Sequence, residues 1–311
     1  MDIIHPNEHT FPLLESYVKQ YEEKCVLLCS HVRRHCERIY IIVNDASKFQ
    51  SSLIESSSGS FITKEGVTVA NNSEIEKYIM GVIRLDSTLF HCIPNPELFS
   101  EEDCNILLSF IKSHMLGKKV KCISGEEKGT SFLAKLCERE GNVAYQVNQY
   151  KLMTLKNNIA PSFTPPLLCD DDKIIRCTEK EIEELIYIQH KYLQDEVAPK
   201  GRVVNELEVK ITLRQILKNQ LCLALFNDGI AYSKANTNAI GINWVQLGGV
   251  YTHPLFRRNG YAINLVYTIC KRALKVHKNI ALFVKEKNQA AIDLYKKLGF
   301  IQKGIYKIVY F

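Results

Sequence analysis

The 311-residue chain contains no run approaching the roughly 20 apolar residues needed to span a bilayer. Its opening, MDIIHPNEHTF, has neither a basic n-region nor an apolar h-region. A soluble, cytoplasmic protein with no membrane partner is therefore expected. No C-x-x-C pair occurs among the 11 cysteines, and their number is odd. Both facts argue against a disulfide framework and against a zinc knuckle, so reduced thiols and no metal are expected. A large net charge is also lacking. Forty Lys plus Arg against 34 Asp plus Glu leave +6, a surplus that suits an anionic ligand and does not call for nucleic acid.

The densest group of metal-ligand types is Cys25, Cys29, His31, His35 and Cys36. At about 100° per helical residue, Cys25, Cys29, Val32 and Cys36 share one stripe while both histidines point elsewhere. The thiols read as small core hydrophobes.

The length favours two domains of about 150 residues each. Residues 157–172, NNIAPSFTPPLLCDDD, carry three prolines and then three aspartates and read as a linker. Before it the patterns predict a long helix from Pro12 to Cys36, a strand at Ile39–Val43, and a hairpin at Phe61–Val69. Extended segments at 79–84 and 88–93 follow, then a helix at 100–114, a strand at 120–123, a helix at 130–139 and a strand at 144–154. The polar segment 51–60 reads as a loop.

After the linker come a strand at 173–177, helices at 179–194 and 205–218, and strands at 221–226, 230–236 and 244–251. A helix from Gly260, a strand at 280–284, a helix at 289–298 and two short strands near 300–302 and 305–310 complete the chain. Both halves close with strand, helix, strand, helix, strand, as expected of two diverged copies of one architecture.

The chemistry is concentrated in Trp244–Leu274. Arg257, Arg258, Asn259, Gly260, Tyr261 and Ala262 give the spacing R-x-x-G-x-A where an amphipathic helix begins. Free N–H groups and the positive end of the helix dipole favour an anion there, and two arginines add fork-shaped donors. A pyrophosphate suits such a turn. Gly248 and Gly249 interrupt the preceding strand, as a bulge or a close backbone approach requires. About thirty residues on, Asn288 to Phe300 reads N-Q-A-A-I-D-L-Y-K-K-L-G-F, with Ala291, Leu294, Tyr295 and Leu298 on the buried stripe and Gly299 as a left-handed C-cap.

V-Y-T-H-P followed by R-R-N-G-Y-A and then N-Q-A-A-I-D-L-Y-K-K-L-G-F resembles the GNAT superfamily of acyl-CoA N-acyltransferases over residues 173–311. The resemblance implies an α/β fold of tandem GNAT-like domains. Each would be a mixed, mostly antiparallel twisted sheet flanked by helices, and the second would carry a splayed acyl-CoA-binding strand pair. Residues 1–156 would form a degenerate GNAT-like domain without a cofactor site, 157–172 the linker, and 173–311 the acetyltransferase domain.

The resemblance further implies acetyl-CoA as co-substrate, held by the backbone of Val250, Tyr251 and Thr252, by Arg257, Arg258, Asn259, Gly260, Tyr261 and Ala262, and by Asn288. Tyr295 would protonate the departing thiolate. The expected reaction is direct acetyl transfer to an unidentified primary amine in a ternary complex. The alternative is a non-catalytic acyl-CoA sensor.

The base is less plain. Where several relatives place a carboxylate, this chain has Gln246, which takes no proton. Glu196, beside Asp195 in the loop after the first helix, is the candidate, with solvated helix-end charge as the competing account. His253, before Pro254, is a further candidate, with a plain turn histidine as the competing account. In the first half, a capping box at Ser100 and Asp103 opens a helix whose first turn holds Glu101, Glu102 and Asp103. Three carboxylates repel a phosphate, so no coenzyme A is expected there. A monomer is expected, because a tandem could bury internally what a single-domain relative buries in a dimer.

Overall fold

The computed structural model describes residues 1–58, 62–63, 66–67, 75–114 and 121–311. In chain order the first elements are β1 (Asp2–Ile4), α1 (Phe11–Lys19), α2 (Glu22–Arg33), β2 (Ile39–Val43), α3 (Ala46–Ser58), β3 (Ile62–Thr63) and β4 (Gly66–Val67). They are followed by β5 (Ile79–Leu85), β6 (Thr88–Cys92), α4 (Glu101–His114), β7 (Cys122–Glu126) and α5 (Glu127–Glu138). Next come β8 (Gln146–Leu155), β9 (Lys173–Arg176), α6 (Ile182–Tyr192), α7 (Glu206–Asn219), β10 (Cys222–Asn227), β11 (Ile230–Ile240) and β12 (Trp244–Thr252). The chain closes with α8 (Tyr261–Lys275), β13 (Asn279–Lys285), α9 (Gln289–Lys297) and β14 (Ile301–Tyr310).

The chain divides into two compact units, Met1–Gln149 with Ile305–Phe311, and Tyr150–Gly304. In the first, β1, β2, β5 and β6 pair antiparallel in that order, β6 pairs parallel with β7, and β7 pairs antiparallel with Tyr306–Tyr310. Strand β2 explains how this sheet is covered. Its sequence IYIIV is buried throughout, as a strand covered on both faces requires. Ile39, Ile41 and Val43 join the core under α1 and α2. Tyr40 and Ile42 join the core under α4 and α5.

In the second unit β9, β10, β11 and β12 pair antiparallel, β12 pairs parallel with β13, and β13 pairs antiparallel with β8. Helix α8 buries Ile263, Leu265, Val266, Ile269, Cys270 and Ala273 against this sheet. Each large side chain so buried contributes about 1.5–3 kcal/mol. The core of α6 and α7 is a separate cluster built on Leu185, Ile188, Leu213 and Leu217.

The unit boundaries differ from those expected at 156 and 173, because partners for the last strands are found far along the chain. Residues Tyr150–Leu155 of β8 pair with Lys285–Ile280, and Tyr306–Tyr310 pair with Glu126–Cys122. Each half thus lends its closing strand to the other unit's sheet.

Residues 157–172 are not a detached linker either. The Ala160 N–H donates to the Leu298 carbonyl at 3.0 Å, Asn264 Nδ2 donates to the Pro166 carbonyl at 3.1 Å, and Asn227 Nδ2 donates to Asp172 Oδ1 at 3.0 Å. The segment is strapped to the second unit at these points, and Ile159, Phe163 and Leu168 pack against its core.

Other local differences have plain causes. The long helix expected from Pro12 to Cys36 is broken at residues 20–21 into α1 and α2, with Cys25 at non-helical angles. Helix α3 takes residues 51–58 of the expected loop, and the rest of that loop lies outside the described residues. Of the expected hairpin at 61–69, Ile62–Thr63 and Gly66–Val67 pair antiparallel and the rest lies outside them. The first residue of the strand expected at 120–123 also lies outside them.

Cys25, Cys29 and Val32 are buried in one cluster with Cys36 packed against it, in keeping with the core reading of the thiols. The Ser100 capping box forms, with Ser100 N–H donating to Asp103 Oδ2 at 2.9 Å and Asp103 N–H to Ser100 Oγ at 3.2 Å.

Candidate active site

Parallel pairing between β12 and β13 runs from Trp244↔Asn279 to Leu247↔Leu282 and goes no further. After Leu282, β13 continues along β8, while β12 continues along β11. The cause lies in Gly248-Gly249. Asn236 is opposite Gly248 and Lys234 opposite Tyr251, so β12 spends one residue more than β11 across this stretch. Gly249 has φ +59°, and a side chain there would meet Asn236 and Lys234. Only glycine fits this bulge.

The divergence opens a cleft of about 1520 Å³, lined by β12, the turn into α8, the end of β13, α9 and the strap. The residues assigned to the site from the sequence lie on its wall, His253 excepted. Val250, Tyr251 and Thr252 line it from the strand, Arg257 to Ala262 from the turn, Asn288 and Tyr295 from α9, and Glu196 from the helical turn Leu193–Val197.

The turn into α8 has the geometry its sequence requires. Gly260 is the N-cap, left-handed at φ 77°, and Arg258 is left-handed at φ 70°. No side chain caps the helix, so its first-turn N–H groups remain available to an anion. Arg257 Nε donates to the Thr252 carbonyl at 3.2 Å, and its guanidinium lies 5.4 Å from the centre of the Tyr251 ring. At the start of α9, Asn288 Oδ1 accepts from the Ala291 N–H at 3.2 Å, which leaves its amide N–H groups to face a ligand.

Tyr295 is 6% exposed. Burial, reinforced by Tyr192, holds its phenol well above the ordinary value of 10, so it is a proton donor at any ordinary pH. Tyr192, also on the wall, is pushed up to about 12 by burial, against the opposing pull of the Gly249 N–H it accepts at 3.3 Å.

Glu196 Oε2 is 3.2 Å from Lys285 Nζ, which also donates to the Asp195 carbonyl at 2.8 Å. Tyr251 Oη donates to Asp195 Oδ2 at 2.7 Å. Asp195 is thereby occupied, and burial together with this bond raises Tyr251 to about 12. Gln246 is buried and is not on the wall. His253 Nδ1 accepts the Leu255 N–H at 3.3 Å, a turn contact.

The sequence reading missed Tyr150, Tyr192 and Lys285, and the strap residues Ser162, Phe163, Thr164 and Pro166, all on the wall. Tyr192 falls on the apolar stripe of its helix and looks like core. For the strap a signal existed. Phe163 and Leu168 are unusual in a solvated linker, and both pack against the core of the second unit, Phe163 with its ring centre 5.6 Å from that of Tyr267.

A mixed sheet whose one parallel pair parts over a helix N-terminus defines the class: this is the fold of the GNAT-type acyl-CoA N-acyltransferases. Residues 229–308, which carry β11 to β14, match the model of the FR47-like protein family, which is related to GNAT. Among solved structures, a Drosophila protein covers 100% of this chain and 99% of its own at 13% identity and TM-score 0.63. A GCN5-related N-acetyltransferase from Kribbella flavida covers 85% of this chain and 95% of its own at 13% identity and TM-score 0.51. A GNAT-family protein from Novosphingobium aromaticivorans is matched over 54% of this chain and 65% of its own, at 17% identity and TM-score 0.40.

Proposed function

We propose that the protein is an N-acetyltransferase that moves an acetyl group from acetyl-CoA to a primary amine by direct transfer in a ternary complex. The observation that carries this reading is one cleft, opened by the parting of β12 and β13, that holds both the R-x-x-G-x-A turn and the buried phenol of Tyr295.

In this reading the pyrophosphate rests on the N–H groups and arginines of residues 257–262, and the pantetheine arm pairs with the backbone of Val250 to Thr252, which Asn288 supports from α9. The amine nitrogen attacks the thioester carbonyl carbon, a C–N bond forms and the C–S bond breaks. The thiolate takes its proton from Tyr295. The proton lost by the amine goes to Glu196, directly or through water.

The test is titration of acetyl-CoA into the wild type and into a variant carrying Arg258→Glu and Gly260→Glu. Micromolar binding, about −8 kcal/mol, that is absent from the variant supports the reading. No binding by the folded wild type overturns it.

A second reading, a sensor that binds acyl-CoA without turnover, is favoured by Gln246 in place of a carboxylate and by the pairing of Glu196 with Lys285. Binding without acetyl transfer to any amine in a broad screen would select it.

We read the first unit as a diverged GNAT-like domain, joined in tandem, that binds no coenzyme A. Its parallel pair, β6 and β7, ends at Phe90↔Ser124. The next residue of β6, His91, puts its ring where Gly125 and Gly129 lack side chains, and its Nε2 is 2.8 Å from Thr130 Oγ1. The corresponding space is filled by the chain itself. The helix α4 opens with Glu101, Glu102 and Asp103, which oppose an anion.

A further inference from the structure

Beneath the bulge lies a lysine that neither the fold nor the reaction accounts for. Lys234, on β11, is fully buried, and no carboxylate is paired with it. Its Nζ donates to Asn236 Oδ1 at 2.8 Å and to the Gly249 carbonyl at 3.1 Å, and lies 5.3 Å from the centre of the Tyr192 ring. An apolar residue would fill that volume at lower desolvation cost, so packing alone does not explain a lysine there.

What Lys234 holds is one end of a closed ring of contacts. The Gly249 N–H donates to Tyr192 Oη at 3.3 Å. Lys234 holds the carbonyl of the same residue and also faces the Tyr192 ring. Gly249 is therefore gripped at both ends, and its left-handed φ of +59° is held by those grips as well as permitted by its missing side chain. A trans peptide is planar, with its C=O and N–H on opposite sides. With the Gly249 carbonyl held by the buried Lys234 amino group, the N–H of the same peptide, that of Val250, is turned the opposite way. Val250 is on the cleft wall.

We infer that Lys234 is a positioning residue that sets the Gly249–Val250 peptide so that the Val250 N–H donates to the carbonyl oxygen of the bound thioester. The inference rests on the acyl-CoA reading above and adds the residue that aims the polarising donor. Donors fixed in advance toward a developing oxyanion are among the largest contributions to catalysis, and removing one typically costs about 10²–10³-fold in rate. A donor left present but released from its aim loses part of that effect. Lys234 does not line the cleft, so its removal alters how the carbonyl is polarised far more than how tightly the cofactor binds.

The experiment uses the full chain and acetyl-CoA labelled with ¹³C at the thioester carbonyl, read by infrared difference spectroscopy of the bound ligand beside calorimetric affinity. In the wild type the carbonyl stretch moves to lower frequency on binding. Lys234→Met is expected to bind acetyl-CoA within about threefold of the wild type while the stretch moves most of the way back to its free position, because uniform binding and polarisation are separable. Asn236→Ala, which loosens the Lys234 amino group without removing it, is expected to give an intermediate frequency.

A wild-type carbonyl shift that persists in a folded Lys234→Met overturns the inference. So does the absence of any shift in a wild type that binds. Should Lys234→Met not fold, Asn236→Ala decides: an intermediate stretch supports the inference and a wild-type stretch overturns it. A folded wild type that fails to bind acetyl-CoA overturns the acyl-CoA reading itself, and this inference with it.

Discussion

Leu247 and Leu282 are the last facing partners of the parallel ladder between β12 and β13, and the cleft begins where their pairing ends. Both side chains are buried in one core cluster, so the point of divergence is anchored by packed apolar residues. The extra residue of the bulge then carries β12 away from its neighbour. Everything assigned to the site is placed relative to this fixed point.

Tyr295→Phe should lower kcat for acetyl transfer by about 10²-fold, the usual range for one general acid, with the KM for acetyl-CoA little changed. Since burial raises this phenol above its ordinary value, the wild type should show no loss of kcat from Tyr295 ionisation up to about pH 10. Steady-state pH profiles of both proteins check this. A descending limb below that pH that vanishes in the phenylalanine variant would contradict it.

Glu196→Gln should depress kcat/KM for the acceptor on the order of 10²-fold and leave acetyl-CoA affinity unaltered. Asp195→Asn should do less, because that carboxylate already accepts the Tyr251 hydroxyl. Equal effects of the two substitutions would remove Glu196 from the role of base. The comparison needs an amine for which the wild type is active.

At Gly260 an added Cβ would stand 3.0 Å from Pro166 Cβ at a φ of +77°. Gly260→Ala is therefore expected to cost about 1–2 kcal/mol of stability through left-handed strain. Acetyl-CoA affinity should fall as well, since the same atom intrudes on the helix N-terminus. Urea melts and calorimetry read the two effects separately, and unchanged values in both would show that the turn tolerates a side chain.

His91 should make the fold acid-labile. Burial lowers its folded value from 6.5 to about 3, so the unfolded chain takes up a proton that the folded chain refuses. Its contribution to stability is present above pH 6.5 and is lost as the pH falls from there toward about 3, on the order of a few kcal/mol in all. His91→Asn should flatten the dependence of the urea midpoint on pH in that window. An equally steep slope in the variant would assign the acid lability to other groups, among them His31, which burial lowers to about 4.

The elements that carry the candidate site residues were legible because they are short and local. Residues 257–262 form a turn and the beginning of α8, residues 288–300 span the whole of α9 with its caps, and hydrophobic periodicity locates both. The contacts of residues 157–172 were not legible, because their prolines and aspartates are the composition of a linker. That the segment lies on α8 and the end of α9 depends on Asn264, Tyr267 and Leu298, which are about a hundred residues or more away in sequence. Tyr192 and Lys234 were illegible for a related reason. A tyrosine on an apolar stripe and a lysine in a strand have no local mark that separates core or surface from a site.

The sequence by itself therefore determined the order of elements in each half, the glycine bulge, the R-x-x-G-x-A turn and the phenol at its place on α9, since each depends on residues within a few positions of one another. Only the tertiary structure decided which strands close which sheet, that the strap walls the cleft, and that Lys234, Gly249 and Tyr192 form a closed ring of contacts. Pairing between β8 and β13, or between β7 and the last strand, joins segments more than a hundred residues apart. Backbone hydrogen bonds are the same for every sequence, so nothing in a strand's own residues names its partner; burial of both faces at once selects it.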